Sequence, residues 1–259
     1  MKENSLIENY KRNEKHFLKV IEFVKNNVDI KQNINRFFNS SLITCKSNAK
    51  EKIRILYIHA ISATGGSNLT RNGKSCKSFF EKIDILGKEQ QVDLKGFYNC
   101  FDNQISSFED LFKYISHNSL NFGPKKTALF LNNMDWVQNN IDESQRIFKD
   151  YNIDALDLMI PLDNVIVRIL NEIICVNTTE KLDQYKDFLT INKFFKEKLG
   201  DEFMLIEDLW FWGYFSTKGN RKNRTIEFNE DKFYTAEFLK PTIENKNKIS
   251  EFTDLLKRE

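Results

Sequence analysis

After Asp163 the apolar residues Val165, Ile166, Ile169, Leu170, Ile173 and Ile174 recur at steps of three and four, which places them along one side of an α-helix. Similar helical spacing is found at Phe17, Val20, Ile21 and Val24, at Ile55, Ile58 and Ile61, and at Phe108, Leu111, Phe112 and Ile115. Only three prolines and nine glycines interrupt the 259 residues, so long stretches are free to remain helical. Period-two alternation, the signature of a half-buried strand, is scarce. The pattern predicts a mostly α chain.

An apolar content of 41% is ample for a core at this length. Charged residues make up 29% and nearly cancel, to a net +2, so binding to a polyanion would need a local basic patch rather than bulk charge. The N-terminus has no apolar h-region, and no segment approaches the roughly 20 uninterrupted apolar residues of a membrane helix. No membrane association and a cytoplasmic location are expected. Cys45, Cys76, Cys100 and Cys175 form no close pair, and His16, His59 and His117 lie far apart. No zinc or iron–sulfur framework is legible, and no metal or other cofactor is expected. Residues 1–50 read as a helical, charged N-terminal segment, and 51–259 as the main domain, in which regions before and after about residue 100 could form two lobes. The runs Ser62 to Ser75 and Ser216 to Arg224 read as exposed loops, the first also as a broken helix.

Chemistry enters at "FGPKKTALFLNNM", Phe122 to Met134. Leu111 to Ser116 reads as the end of one helix and Lys125 to Val137 as the next. Between them Gly123 is the residue free to take positive φ, and Pro124 suits a first helical turn. The segment 117–126 is therefore a compact helix–hairpin–helix. Backbone N–H groups at the second helix's start, flanked by lysines, can hold a phosphate. Lys125 and Lys126 work against the helix macrodipole there, so an anion is expected nearby. Downstream, Asp163 stands where its carboxylate would cap the helix that follows.

Taken together, "GPKKTALFL" and "IPLDNVIVR" resemble the helix–hairpin–helix DNA glycosylase superfamily, in which a hairpin ending in G-x-K-T-A precedes v-D-t-h-v-x-R. On this match Lys126 falls on the catalytic lysine and Asp163 on the catalytic aspartate. The interval of 37 residues from Lys126 to Asp163 exceeds the spacing of the commoner branches, and the long insertion is similar to that of the archaeal-type 8-oxoguanine DNA glycosylases, the AGOG family. Phe130, four residues after Lys126, matches an aromatic of the base pocket. Asp208 and Trp212, again four apart in "IEDLWFWGYF", match the acidic residue and tryptophan that hold a flipped base, whereas Trp210 and Phe211 read as core. Gly123 and Lys125 would contact the DNA backbone. The hairpin reads L-N-F-G-P where the superfamily reads L-P-G-V-G. "AISATGG" loosely resembles the superfamily's L-S-A-Q-A-T, with Thr64 at the duplex-inserting position.

The resemblance implies a two-lobed helical fold with a central cleft, monomeric, acting on double-stranded DNA with a damaged base, and single-stranded DNA as a second candidate. The implied reaction is excision of an oxidised purine, 8-oxoguanine, followed by AP-lyase strand cleavage in DNA repair. The base leaves the stack and aromatic faces hold it, at about 1–3 kcal/mol per stacked base. Lys126 attacks C1′ as a neutral amine. A lysine with the ordinary pKa of about 10.4 is mostly charged at neutral pH, and burial, Lys125 and the helix N-terminus all disfavour that charge. Asp163 stabilises positive charge on the sugar or assists deprotonation. Lys74, Lys77, Lys218, Arg221, Lys222 and Arg224 are candidate phosphate contacts. Two alternatives stand beside this: a glycosylase of the same superfamily for an alkylated or mismatched base, and a non-catalytic helix–hairpin–helix DNA-binding module. A structural or partner-binding helical protein is a further one.

Overall fold

The computed structural model describes residues 3–30, 48–62, 69–175, 185–219 and 223–257. Thr64, Arg221 and Lys222 lie outside them. Helix accounts for most of the described chain, and the only strands among the described residues are two short ones. In order, the elements are α1 (Glu3–Asn26), α2 (Ala49–Ser62), α3 (Leu69–Ile83), α4 (Leu94–Asn99), α5 (Phe108–Asn118) and α6 (Pro124–Asn140). They continue with α7 (Asn164–Ile174), α8 (Tyr185–Leu199), α9 (Leu205–Phe215), β1 (Thr217–Lys218), β2 (Thr225–Ile226), α10 (Glu230–Thr235) and α11 (Ile243–Leu256). The strands pair antiparallel, Thr217 opposite Ile226. No described helix is long and apolar enough to cross a membrane.

The chain divides into two compact units: Met1–Phe37 with Leu162–Glu259, and Phe38–Pro161. In the first, the buried stripe of α7 is the one its spacing predicts, Val165, Ile166, Ile169, Leu170, Ile173 and Ile174. It packs against α1 and α9. Phe17, Val20, Ile21 and Val24 are all buried in α1, and Phe17 stacks on Phe195 of α8 with ring centroids 5.6 Å apart. In the second unit α2 packs on α6, and here the spacing misleads. The inward face of α2 is Ile53, Leu56, Tyr57, Ala60 and Ile61, while Ile58 is 47% exposed. Strict steps of three drift around a helix of 3.6 residues per turn, and the mixed three-four stripe is the one that stays on one side.

The crossing of α9 over α7 depends on Gly213. A Cβ there would lie 2.6 Å from Val165 Cγ1 and 2.9 Å from Ile169 Cγ1. Both neighbours are β-branched and stiff at χ1, so neither can swing aside. Gly73, in α3, has open space around it. The two glycines should therefore respond with opposite sign to alanine. Gly73→Ala is expected to stabilise by about 0.5–1 kcal/mol through helix propensity. Gly213→Ala is expected to destabilise, because overpacking of about 1–3 kcal/mol outweighs the same gain. Urea unfolding measures both, and a Gly213→Ala protein more stable than wild type would refute the tight crossing.

Lys52 of α2 is only 4% exposed, and its Nζ donates to the backbone carbonyl of Gln145 in the short turn Glu143–Gln145. Burial alone lowers its pKa. Its unfolded value is higher, so the unfolded chain binds more protons between the two values and stability rises with pH through that window. The penalty is fully present below the lowered folded pKa. The gain in stability between neutral and alkaline pH should thus be smaller in Lys52→Met than in wild type. Equal gains, measured by urea unfolding across that range, would contradict the linkage.

Candidate functional site

The hairpin is built from a capped helix, a five-residue connection and a proline-started helix. Ser107 Oγ accepts from Asp110 N at 3.1 Å at the head of α5, and Glu109 and Asp110 in its first turn complement the dipole. At the head of α6 no acidic residue is present, and Lys125 and Lys126 stand there instead. Gly123 does not adopt positive φ. It is extended, at φ −75°, and the left-handed residue of the connection is Asn121, at φ 57°. The cause is Pro124, whose ring pushes the residue before it into the extended region whatever its own freedom. The chain reversal falls two residues earlier, on an asparagine that tolerates this conformation. The Gly123 carbonyl accepts from Thr127 N and from Thr127 Oγ1, both at 3.1 Å.

Phe122 fastens this connection to the unit beneath it. Its ring stacks on Tyr57 at 4.1 Å and 10°, and Tyr57 stacks on Phe79 at 3.8 Å and 13° on its other face. Tyr57 Oη is 2.9 Å from Ser75 Oγ, and burial raises its pKa far above the ordinary tyrosine value. Phe130 meets all three rings edge-on, at 5.5 Å from Tyr57, 5.5 Å from Phe79 and 6.1 Å from Phe122. With 0% exposure, Phe130 has no open ring face in this arrangement.

Lys126 is half-buried. Its Nζ donates to the Asn121 carbonyl at 2.9 Å. Burial lowers its pKa, and the Lys125 charge lowers it further. These are the causes that a reactive amine needs. Asn121 is tied in turn to α3, its Nδ2 donating to Asn72 Oδ1 at 2.8 Å. Neither asparagine carried a sequence motif. The only available signal was an asparagine at a turn, a residue type favoured in left-handed conformations.

The remaining expected residues lie in the other unit. Asp163 is the N-cap of α7, and its Oδ1 accepts from Val165 N at 2.7 Å and Ile166 N at 2.9 Å. Its charge also reaches Lys232 of α10. Burial and the Arg224 charge lower the Lys232 pKa, and Asp163 partly opposes them. Lys232 Nζ donates to the Tyr214 carbonyl at 3.0 Å and lies 4.2 Å from the centroid of the Tyr214 ring. Sequence reasoning missed Lys232, which sits in no motif. Asp208 is 7% exposed and Trp212 1%. The Trp212 ring is enclosed by Phe23, Phe211 and Phe252, with centroids at 5.0, 5.2 and 5.4 Å. Phe211 is buried as expected of a core residue, whereas Trp210 is partly exposed against Tyr214 and Phe238.

Thus Gly123, Lys125, Lys126 and Phe130 share one unit, and Asp163, Asp208 and Trp212 share the other. Among the cations expected at phosphates, Lys77 pairs with Glu81 at 3.9 Å and Lys218 with Glu227 at 4.0 Å, all four side chains well exposed. Such exposed pairs contribute little to stability. Among the described residues, no group of three His, Cys, Asp or Glu is placed to hold a metal ion. No family model matches the chain, and no curated protein or solved structure matches it either.

Proposed function

We propose that the chain is a bifunctional DNA glycosylase and AP lyase of the helix–hairpin–helix type, excising 8-oxoguanine from double-stranded DNA. The observation that carries this reading is the state of Lys126: a half-buried amine of lowered pKa at the head of a helix, directly after a five-residue hairpin connection. The division into two compact units is compatible with the two-lobed fold that the reading entails.

In this reading the neutral Lys126 amine attacks C1′ of the damaged nucleotide, the glycosidic bond breaks and the base departs, and the sugar ring then opens at C1′–O4′, O4′ taking a proton as the Schiff base forms. Loss of a proton from C2′ then permits β-elimination and a strand nick. The Asp163 carboxylate offsets positive charge developing on the sugar. Asp208 accepts a hydrogen bond from a base N–H; 8-oxoguanine has N7–H where guanine has an acceptor. Phe130 and Trp212 enter as packing residues, because each ring is enclosed by others and stacking a base on either would first require displacing a neighbour.

Borohydride trapping tests the reading. Incubated with an 8-oxoguanine duplex and borohydride, the chain is expected to form a covalent protein–DNA complex. A panel of duplexes carrying alkylated and mismatched bases separates this lesion from others. If binding occurs without trapping or base release on any duplex, the non-catalytic module replaces the enzyme.

A further inference from the structure

We propose that Asn72 is a positioning residue for the Lys126 amine, acting through Asn121. The inference rests on Lys126 being the nucleophile. It starts from the Asn121 carbonyl, the acceptor for Lys126 Nζ at 2.9 Å. Three contacts hold that carbonyl in place. The Asn121 side chain donates to Asn72 Oδ1 at 2.8 Å, and Asn72 is buried on α3. The peptide's own N–H, that of Phe122, donates to the Ser119 carbonyl at 3.3 Å. The Phe122 ring is stacked on Tyr57.

The conformation needs such support. At φ 57° Asn121 sits in the left-handed region, which asparagine tolerates better than most residues but at a cost that glycine does not bear, and a residue there persists when its surroundings over-determine it. The side-chain bond to Asn72 supplies that determination from a separate helix. A neutral amine that donates one N–H to a fixed carbonyl has its lone pair directed away from that bond, so the carbonyl sets the line of attack. Without Asn72 the Asn121 carbonyl loses the one hydrogen-bonded restraint that comes from a separate helix, and the amine is held in a wider range of orientations while keeping its chemistry. Asn72 touches neither substrate nor the reacting atoms. Its effect passes through the backbone of the hairpin.

The test uses the full chain and a duplex with an abasic site, on which Lys126 can form a Schiff base without base excision. Single-turnover borohydride trapping is followed from neutral to alkaline pH, with duplex affinity and the thermal unfolding midpoint measured alongside. Asn72→Ala is expected to lower the alkaline plateau rate about tenfold to a hundredfold, the scale of a misplaced reacting group. Duplex affinity should be unchanged, because Asn72 contacts no phosphate in this scheme. Asn121→Gly, which keeps the left-handed backbone and removes the side-chain tie, should lose rate likewise. Asn72→Asp retains an acceptor oxygen for Asn121 Nδ2, so its plateau rate should return to near wild type, with the rise in rate moved to higher pH by the added negative charge. An unchanged plateau in Asn72→Ala overturns the proposal and leaves Lys126 in place. A loss that Asn72→Asp fails to restore overturns it too, and assigns Asn72 to packing. A wild-type chain that captures no abasic DNA overturns both the proposal and the lyase reading.

Discussion

Lys126→Gln is expected to abolish borohydride capture of an 8-oxoguanine or abasic duplex, a loss of about a thousandfold or more, equivalent to roughly 4 kcal/mol in the barrier. The substitution is chosen for what it keeps. Glutamine removes the amine and its charge but keeps an N–H donor, on a stem one bond shorter, towards the Asn121 carbonyl, the partner of the lysine at 2.9 Å. The hairpin therefore has no reason to rearrange, and the loss reports the amine. Lys125→Gln is the companion. It leaves the nucleophile intact and removes the neighbouring charge that helps to depress its pKa. Less of the amine is then neutral at a given pH, so the rise of trapping rate with pH should move to higher pH while the plateau stays. Asp163→Asn completes the set, because asparagine caps a helix as well as aspartate does. The bonds to Val165 N and Ile166 N can survive it, and any lost activity belongs to the carboxylate charge. Equal capture by Lys126→Gln and wild type would remove the lysine from the mechanism.

The parts of the molecule legible in the sequence are those encoded within one or two helical turns. The stripe of α7, the capping aspartate before it and the proline that starts α6 all act over a few residues, and each was readable there. The depressed pKa of Lys126 was readable by half: Lys125 is its chain neighbour, but burial depends on what else folds around it. Where two local signals competed, the reading failed. Glycine's freedom at position 123 was overridden by the demand that Pro124 places on its predecessor, and the reversal moved to Asn121. The pairing of α1 with elements after residue 162 had no local signal at all, since an apolar helix face records that it is covered and not by what. The same holds for the aromatic residues. Phe130 matches a motif position, yet it is enclosed by two rings distant in sequence, Tyr57 and Phe79, together with Phe122 eight residues before it.

Of those rings Phe122 is the one that lies on the hairpin connection itself. It is 1% exposed and stacked on Tyr57. Truncating a buried phenylalanine costs about 3–5 kcal/mol, from lost transfer energy and the cavity left behind. Its stacking on Tyr57 is part of what is lost. For a chain of this size Phe122→Ala is thus expected to lower the unfolding midpoint by roughly 10 °C, at about 2–4 °C per kcal/mol. Leu120, two residues away on the same connection, is 52% exposed, and Leu120→Ala should stay within about 0.5 kcal/mol of wild type. The contrast separates the ring from the loop that carries it. If the two units unfold in separate steps, only the step belonging to Phe38–Pro161 should shift, because every ring of the stack lies within it. The same variant should lower trapping at temperatures where it remains folded, since the Asn121 carbonyl that receives Lys126 precedes Phe122 in the chain and loses its anchor. A Phe122→Ala protein with the wild-type midpoint would show that the stack does not hold the hairpin, and the fixed carbonyl beside Lys126 would need another support.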